Sequence, residues 1–426
     1  MAIFDFFFGS FVGAFEAAYY QVTYGATALI VPLALIFFAW KIWVYYINAE
    51  YLNNLKWALL EVRLPKEIRR SPLAMEIVLN SFHQTGKTGS PYKKYWLGQL
   101  RPTFSLEIVS IGGMVHFFIY TMQEFRNAVE SYIYAQYPEA EIVEAPDYAE
   151  MVSYTIDGRW SMNAIEFVLS KPDPYPIKTY IDYGMDKSAK EEERIDPITP
   201  TIELMGSLKK GEQLWLQIIV RAAMNRYKLP GKWFKHGSYK DEAEEEIKKI
   251  KALATDAEGR FNTNLLTPVQ KSTIESLERN TDKLGFDAGI RAIYIAEKDP
   301  SRGASSANIP ALVNMMKQYN SANLNGFTIS RLTSFDNYPW SEYLGLKRGE
   351  FPYINIGIKE SEKEKLKGFG FYRNRSYFYQ PCSHKPFVLS SEELATIYHF
   401  PGGVSGTPSF ARIDSKKSEP PINLPV

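Results

Sequence analysis

The alternation of hydrophobic and polar positions predicts that most of the chain folds into a mixture of strands and helices. After an apolar N-terminal stretch, Leu60, Val62 and Leu64 alternate with charged residues, which is typical of a strand with one buried face. A helix is expected next, because Ser71 is a suitable N-cap and Pro72 stands at the favoured first helical position. The first regular elements are therefore expected to be a strand and then a helix.

The apolar run 103–122 predicts a β-hairpin, because Gly112 and Gly113 divide it into two strand-like halves. A helix with apolar residues at helical spacing and a short strand follow. The order strand, helix, strand, strand, helix, strand is that of the ferredoxin-like split βαβ pattern. We therefore expect an antiparallel sheet of four strands that has two helices on one face. The opposite face is expected to be free to pack against something else.

A second round of elements is predicted from residue 211 onward. The stretch that begins at Gln213 has the composition of a buried strand, and Thr267 with Pro268 forms the cap of a later helix. The intervening helix 240–252 is charged almost all round. We interpret it as a solvated insertion, with a partner-docking arm as the alternative. The region is predicted to be a second α+β unit, a diverged ferredoxin-like repeat with a long insertion.

The expected fold class is α+β, with an N-terminal transmembrane helix, tandem ferredoxin-like modules and a proline-rich C-terminal tail. The predicted parts are an aromatic interfacial segment (1–24), a transmembrane helix (25–47), a first ferredoxin-like α+β domain with an extension (55–190), a connector (191–210), a second α+β domain (211–335), a strand-rich region (336–408) and a proline-rich tail (409–426).

The membrane anchor is predicted from the stretch Gly25–Ile47, which is apolar over the length needed to cross a bilayer. Trp40 and Trp43 stand near its C-terminal end, where amphipathic rings favour the headgroup level, and Lys41 can extend its ammonium group to that level. Pro32 would kink such a helix but is tolerated in membranes. The alternative interpretation is a helix buried in a core.

The flanking charges predict the orientation of this helix. No Lys or Arg precedes the apolar stretch, whereas five follow it, namely Lys56, Arg63, Lys66, Arg69 and Arg70. The positive-inside rule then places the later domains in the cytoplasm, anchored by a single pass in the cytoplasmic (inner) membrane. Whether residues 1–24 also enter the membrane is left open.

The net charge and the cysteine count exclude or disfavour several classes of function and site. The formal net charge is +1, from 49 Lys and Arg against 48 Asp and Glu, which argues against a dedicated nucleic-acid coat protein. The single cysteine, Cys382, excludes an intramolecular disulfide and a cysteine-based metal site.

The run Gly86-Lys87-Thr88 has the same residues as the end of a phosphate-binding loop. That motif needs a glycine five residues earlier, where this chain has Ser81, and a strand before the loop, where the pattern predicts a helix. We interpret the run as a polar loop. Lys87, together with Lys93 and Lys94, is then available for a membrane surface or a partner.

A second basic stretch lies near residues 369–379, where Arg373 and Arg375 alternate with aromatic residues such as Tyr377. We favour a strand near the membrane or at an interface. The alternative is a contact with single-stranded nucleic acid, whose bases stack on aromatic rings while arginine neutralises the phosphates.

No catalytic set is predicted. The five histidines fall at no metal-ligand spacing with another histidine, cysteine or carboxylate. Cys382 and His384 are residues of nucleophilic chemistry, but on an extended chain we expect them to be displaced from each other, with no orienting group. No cofactor or metal is expected, and the chain is not expected to be an enzyme.

Several longer stretches resemble one family. They include "SLEIVSIGGMVHFFIYT", "VESYIYAQYPEAEIVEAPDY" and "LSSEELATIYHFPGGVSGTPSFARIDSKKSEPPINLP". Together they look like the membrane-proximal N-terminal half of type IV secretion, conjugation-type ATPases of bacteria with reduced genomes. In that family a HerA/FtsK-like ATPase domain, which carries the phosphate-binding loop, follows the proline-rich linker. The sequence given stops at this linker, so the resemblance assigns it no catalytic residue. It is expected to be either a stand-alone relative that assembles with a separate ATPase or a truncated product.

The expected function is that of a membrane-anchored, non-catalytic scaffold of a type IV secretion or conjugation-like translocation machine. Its expected partners are the lipid bilayer, further copies of itself and a separate HerA/FtsK-like ATPase. The alternatives are a membrane-associated DNA-binding module and an envelope structural protein unrelated to secretion.

Overall fold

The structure is a computed structural model that describes residues 2–65, 70–85, 90–155, 158–186, 195–224, 227–228, 236–254, 262–298, 309–332, 360–379, 382 and 384–402. The described residues fall into two compact units. The first unit lies within residues 1–55 and 86–100, and the second lies within residues 56–85 and 101–426.

The first unit is built on one long helix. Helix α1 runs from Ala2 to Asn54 and includes Pro32 in its interior. The segments expected at 1–24 and 25–47 therefore belong to one continuous helix. A short helix, α3 (Pro91–Tyr95), packs beside the C-terminal part of α1.

The second unit is an antiparallel sheet covered by helices, which confirms the α+β class. Its strands are β1 (Trp57–Arg63), β2 (Phe104–Ile111), β3 (Met114–Met122), β4 (Glu141–Glu144), β5 (Trp160–Leu169), β6 (Glu212–Ala222), the two-residue β7 (Tyr227–Lys228) and β8 (His236–Gly237), β9 (Gly285–Glu297), β10 (Phe327–Leu332) and β11 (Phe387–Ser390). Its helices are α2 (Pro72–Asn80), α4 (Arg126–Gln136), α5 (Thr199–Gly206), α6 (Tyr239–Ala252), α7 (Pro268–Asp282), α8 (Ile309–Asn314), α9 (Glu360–Arg373) and α10 (Ser391–Ile397).

The first half of the sheet follows the order β4-β1-β3-β2, with every neighbouring pair antiparallel. The hairpin predicted at Gly112-Gly113 is confirmed, since both glycines have positive φ between β2 and β3. The predicted cap of α2 is also confirmed, because the Ser71 side chain accepts a hydrogen bond from the Leu73 amide and Pro72 opens the helix.

The second half repeats this order as β10-β5-β9-β6, again antiparallel throughout. Its first strand is β5, which begins at Trp160, whereas the sequence placed the second unit from residue 211. Helices α6 and α7 form an inserted pair between the second and third strands of this half, and the predicted cap of α7 by Thr267 and Pro268 is confirmed. Strands β2 and β6 pair with each other, so the two halves make one continuous sheet.

Each face of the sheet carries its own apolar core. Helices α2, α4, α5, α8 and α10 contribute to the larger core on one face. On the other face, Phe369 and Tyr372 of α9 pack with Tyr148 and Trp215. This face was expected to be free, but the chain covers it with its own later segment.

The region expected to be rich in strands differs from that expectation where the structure describes it. The stretch around Arg373 forms the end of helix α9 and a following turn, and not a strand. The proline-rich tail at 409–426 lies outside the described residues.

Candidate functional site

Helix α1 exposes a long run of large apolar side chains. The part from Ile30 to Asn54 is long and apolar enough to cross a membrane, and only 6% of its most apolar window is buried. A core helix in a soluble protein would be mostly buried. Its exposed large side chains include Ile30, Val31, Leu33, Leu35, Ile36, Phe37, Phe38 and Ile42.

Residues 90–98 fold back along α1, and we call them the 90–98 turn. Trp43 Nε1 donates a hydrogen bond to the Tyr95 carbonyl oxygen at 3.0 Å. The Trp40 ring lies 5.6 Å from that of Tyr95 and 5.8 Å from that of Trp96. Trp40 and Trp43, which the sequence predicts to lie at the membrane interface, therefore position a second aromatic segment beside the helix.

In the second unit, polar side chains form a row across four neighbouring strands, β2, β6, β9 and β5. Glu107 of β2 lies opposite Gln217 of β6. Gln217 lies opposite Arg291 of β9, which in turn lies opposite Glu166 of β5. We call these four residues the polar row. Gln217 Nε2 donates to Glu107 Oε1 at 2.8 Å, and Arg291 Nε donates to Gln217 Oε1 at 2.6 Å.

The end of α9 and the turn after it cover the polar row. Arg291 donates to the carbonyl oxygens of Phe371 at 2.8 Å and Ser376 at 3.0 Å. Burial lowers the pKa of Arg291, and the negative charge of Glu166 opposes that shift. Because buried polar groups are stable only when they are hydrogen-bonded, this pairing fixes the later segment on the sheet.

Arg375 completes the arrangement from above the sheet. Its Nε donates to Glu107 Oε1 at 3.0 Å, and its Nη2 donates to Asp147 Oδ1 at 2.9 Å. The guanidinium also lies 4.4 Å from the centre of the Tyr120 ring. A forked guanidinium between two carboxylates is a strong, directional contact.

The backbone at Arg375 is in the left-handed region, with φ of 48°. Helix α9 ends there in a Schellman-type turn: the Ser376 amide donates to the Phe371 carbonyl, and the Arg375 amide donates to the Tyr372 carbonyl. Glycine usually occupies this position, because another residue costs about 1–2 kcal/mol there. The buried contacts of the Arg375 guanidinium explain why an arginine is held in this conformation.

The structure corrects two of the predicted nucleic-acid contacts. Arg375 is only 8% exposed and Tyr377 only 4%, so neither can reach a nucleic acid in this conformation. The Tyr377 ring packs against Gly289, where a Cβ would come within 2.3 Å of the ring. Arg373, Lys93 and Lys94 are exposed, and Lys87 lies outside the described residues.

A second buried polar cluster surrounds the start of α10. Glu393 accepts hydrogen bonds from the backbone amides of Ser390 at 2.8 Å and Ile177 at 2.9 Å. Glu392 Oε1 accepts from the Thr179 hydroxyl at 2.6 Å. Burial raises the pKa of Glu393 to about 8 and also raises that of Glu392. The cluster joins α10 to the segment that follows β5.

Glu76 of α2 extends this cluster. Lys283 Nζ lies 2.8 Å from Glu76 Oε1, and the hydroxyls of Tyr180 and Ser391 donate to the same carboxylate at 2.8 Å and 3.2 Å. The carboxylate is 4% exposed, so its charge is compensated by direct contacts rather than by water. These contacts hold α2 and α10 together.

Cys382 and His384 lie closer together than the sequence indicated. Cys382 Sγ is 3.7 Å from His384 Nε2, and His384 Nδ1 is 3.5 Å from Glu166 Oε1. The three side chains contact one another in the order thiol, imidazole and carboxylate, which is the order of a nucleophile, a base and an orienting carboxylate. Cys382 is 2% exposed, however, so a substrate cannot reach the thiol in this conformation. The arrangement is a packed contact at one end of the polar row.

A cavity of about 260 Å³ opens beside His83, Tyr239 and Lys283. The Tyr239 hydroxyl donates to the Lys283 carbonyl, and Lys283 is paired with Glu76. Burial lowers the pKa of His83. Because the Tyr239 hydroxyl and the Lys283 ammonium at its wall already have partners, we assign no ligand to this cavity. Within the described residues, no group of three or more His, Cys, Asp and Glu side chains is arranged to hold a metal ion.

The polar row carries a signal that sequence reasoning missed. Each of its strands has a long polar residue between apolar neighbours, as in "LEI" around Glu107, "LQI" around Gln217, "IRA" around Arg291 and "IEF" around Glu166. A single polar residue inside a buried strand predicts an equally buried partner. The partner strands could not be identified from the sequence.

Comparison with known proteins places the chain in a family. A family profile described as "Domain of unknown function (DUF8128)" matches residues 48–338, which is more than half of the chain. The chain belongs to this family. The match covers both halves of the sheet, from β1 to β10, and with them the four strands that carry the polar row. No curated protein matches the chain.

Proposed function

We propose that the chain is a membrane-anchored, non-catalytic scaffold subunit of a type IV secretion or conjugation-like translocation machine, and that it docks a HerA/FtsK-like ATPase. The observation that carries the proposal is the apolar, exposed surface of α1 between Ile30 and Asn54. A helix of this kind tethers the attached domains to a bilayer, which raises their effective concentration for other membrane-bound parts.

The rigid sheet supports the scaffold assignment. Long buried polar side chains of the sheet and of the turn after α9, such as Glu107 and Arg375, bond to one another and to the backbone. Such networks fix one relative arrangement of the segments that they join. A platform with a fixed geometry suits the assembly of other subunits.

We further propose that the two halves are tandem ferredoxin-like modules. In each half the strands, numbered along the chain, lie in the order 4-1-3-2, and all neighbours are antiparallel. That is the strand order of the split βαβ pattern. The proposed topology is a single pass with these modules in the cytoplasm, because the Lys and Arg residues flank only the C-terminal side of the span.

The proposal is tested by co-purification. The full chain and a HerA/FtsK-like ATPase from the same genome are co-expressed, and the membranes are solubilised in mild detergent. We expect the ATPase to elute with the tagged chain as a complex that contains several copies of each. An ATPase that remains in the flow-through, or ATP turnover by the pure chain alone, would contradict the proposal.

The DNA-binding alternative has lost part of its basis. Of the residues near 373 that suggested it, Arg375 and Tyr377 are buried and Arg373 remains exposed. A solvent-accessible surface with aromatic rings between basic residues is needed for stacking on bases. The proposed scaffold therefore accounts for this region better than a nucleic-acid contact does.

A further inference from the structure

The 90–98 turn exposes large apolar and aromatic side chains next to the membrane-spanning part of α1. Tyr92 is 61% exposed, Trp96 55% and Leu97 52%. Trp96 lies beside Trp40 of α1, with 5.8 Å between the ring centres, and the neighbouring Tyr95 contacts both Trp40 and Trp43. Tryptophan and tyrosine rings beside a membrane span favour the headgroup level of the bilayer.

The turn also carries two adjacent lysines. Lys93 and Lys94 are exposed and stand in the last turn of α3. Lys94 Nζ lies 5.0 Å from the centre of the Tyr95 ring, and no described ion pair involves either lysine. Lys41 of α1 lies at a neighbouring level, with its Nζ 5.4 Å from the Phe37 ring. Two positive charges therefore lie on the turn itself, close in sequence to the exposed Tyr92 and Trp96.

The turn is held at a fixed level along α1. The residues of α1 that it contacts, Trp40, Trp43 and Ile47, recur at helical spacing and so share one face of the helix. Gly98 has φ of +62°, and a Cβ at this position would lie 2.2 Å from the Ile47 carbonyl oxygen. The backbone of the turn thus approaches the helix more closely than any residue with a side chain allows.

We propose that the 90–98 turn is a second membrane-binding element, which inserts Tyr92, Trp96 and Leu97 at the headgroup level and binds the phosphate of an anionic phospholipid with Lys93 and Lys94. This inference rests on the proposed membrane anchoring by α1. Apolar and aromatic residues beside lysines form the pattern of surface elements that bind anionic membranes. The anionic lipids of the cytoplasmic leaflet match the orientation expected from the flanking charges.

The lipid contact is tested on the full chain in detergent micelles by native mass spectrometry, during titration with phosphatidylglycerol or phosphatidylcholine. We expect the tightest binding of phosphatidylglycerol to weaken roughly fivefold for each lysine removed in Lys93→Gln/Lys94→Gln. The matched control is Lys209→Gln/Lys210→Gln, another adjacent exposed pair, which lies in the second unit and should leave lipid binding unchanged.

The depth of the turn is tested separately in nanodiscs. Leu97→Cys is labelled with an environment-sensitive dye in a Cys382→Ala background. We expect blue-shifted emission and quenching by lipids that are spin-labelled near the headgroup. A water-exposed dye on a chain that still resists extraction from membranes would overturn the inference and leave the anchor intact. A chain that is itself recovered as soluble protein would instead contradict the proposed anchoring.

The same lysine variant also tests whether Lys93 and Lys94 bind nucleic acid instead of lipid. If Lys93→Gln/Lys94→Gln keeps its preference for phosphatidylglycerol but loses binding to a DNA fragment, the lysines contact nucleic acid and the lipid assignment is wrong. We expect the opposite pattern, with lipid binding reduced and DNA binding unaffected.

Discussion

Glu107 and Gln217 lie directly opposite each other in the strand pair that joins the two halves of the sheet, and Gln217 Nε2 donates a hydrogen bond to Glu107 Oε1 at 2.8 Å. Both side chains are fully buried. The junction therefore contains a buried carboxylate, and its cationic partner, Arg375, comes from the segment after α9. The two halves and that later segment depend on one another for their stability.

We expect Arg375→Met to lower the free energy of unfolding by about 3–5 kcal/mol, because it leaves the buried Glu107 carboxylate without its cationic partner. Urea denaturation of the full chain in detergent, followed by tryptophan fluorescence, measures the change. Arg375→Gly relieves the strained backbone at the same position but also removes the guanidinium, so it should remain strongly destabilising. Arg373→Met, at the exposed neighbour, should have little effect. Equal losses of unfolding free energy in Arg375→Met and Arg373→Met would contradict the assignment of Arg375 as the cationic partner of Glu107.

Glu393 makes stability depend on pH in a defined direction. Burial raises its pKa to about 8 from an ordinary value of 4.5. The group therefore contributes its full stability below pH 4.5, and that contribution is lost as the pH rises toward 8. Within this window the loss is at most about 1.4 kcal/mol per pH unit.

The variant Glu393→Gln cannot ionise and should show a flatter stability profile between pH 5 and 8 in thermal unfolding. It should also be less stable than the wild-type chain at pH 5, by about 1–3 kcal/mol. The backbone amides of Ser390 and Ile177 each donate to one Glu393 oxygen, and in the glutamine one of these oxygens is replaced by an NH₂ group, which cannot accept the bond. Glu244→Gln on the exposed side of α6 serves as the control. An unchanged profile in Glu393→Gln would show that another group is responsible.

The close approach of Gly98 to Ile47 predicts a specific effect of a methyl group. We expect Gly98→Ala to detach the 90–98 turn from α1, since the new Cβ would overlap the Ile47 carbonyl oxygen. Limited proteolysis of the full chain should then cut faster near residue 95. Gly184→Ala is a matched control, because Gly184 also has positive φ but has open space around it. If Gly98→Ala and Gly184→Ala speed up proteolysis equally, backbone strain at positive φ explains the faster cleavage and the close approach to Ile47 does not.

The contact between Gly289 and Tyr377 is suited to a double-mutant cycle. We expect Gly289→Ala to destabilise the fold, because the Cβ would meet the Tyr377 ring at 2.3 Å. In the Tyr377→Leu background the ring is absent, so Gly289→Ala should lower the free energy of unfolding clearly less than it does in the wild-type chain. The coupling free energy, obtained from the four unfolding curves, should be about 1 kcal/mol or more. Additive effects would mean that the ring does not rest on the glycine.

The local elements of the fold could be predicted from the sequence where short-range chemistry determines them. The Ser71 cap, the Gly112-Gly113 hairpin and the capped start of α7 at Thr267 follow from residues that are close in the chain. The α+β class followed from the order of these elements.

Long-range pairing could not be predicted. Strand β5 was assigned to the first half, because nothing in its sequence indicates that it pairs with β9 more than a hundred residues later. The stretch around Arg375 was expected to be a strand. Its alternation of basic and aromatic residues serves instead to bring one guanidinium and one ring into the core, a role that depends on Glu107 and Gly289 in distant strands.

The central claim, that α1 anchors the chain in a membrane, is tested most directly by alkaline extraction and flotation of the full chain after expression in bacterial membranes. We expect the wild-type chain to float with the lipid after extraction, and Leu35→Lys/Ile36→Lys to be released, since each lysine near the middle of a span costs about 3 kcal/mol. The control Leu253→Lys/Leu265→Lys changes two exposed leucines of the second unit and should still float. Release of the wild-type chain at alkaline pH, or flotation of the Leu35→Lys/Ile36→Lys variant, would contradict the account.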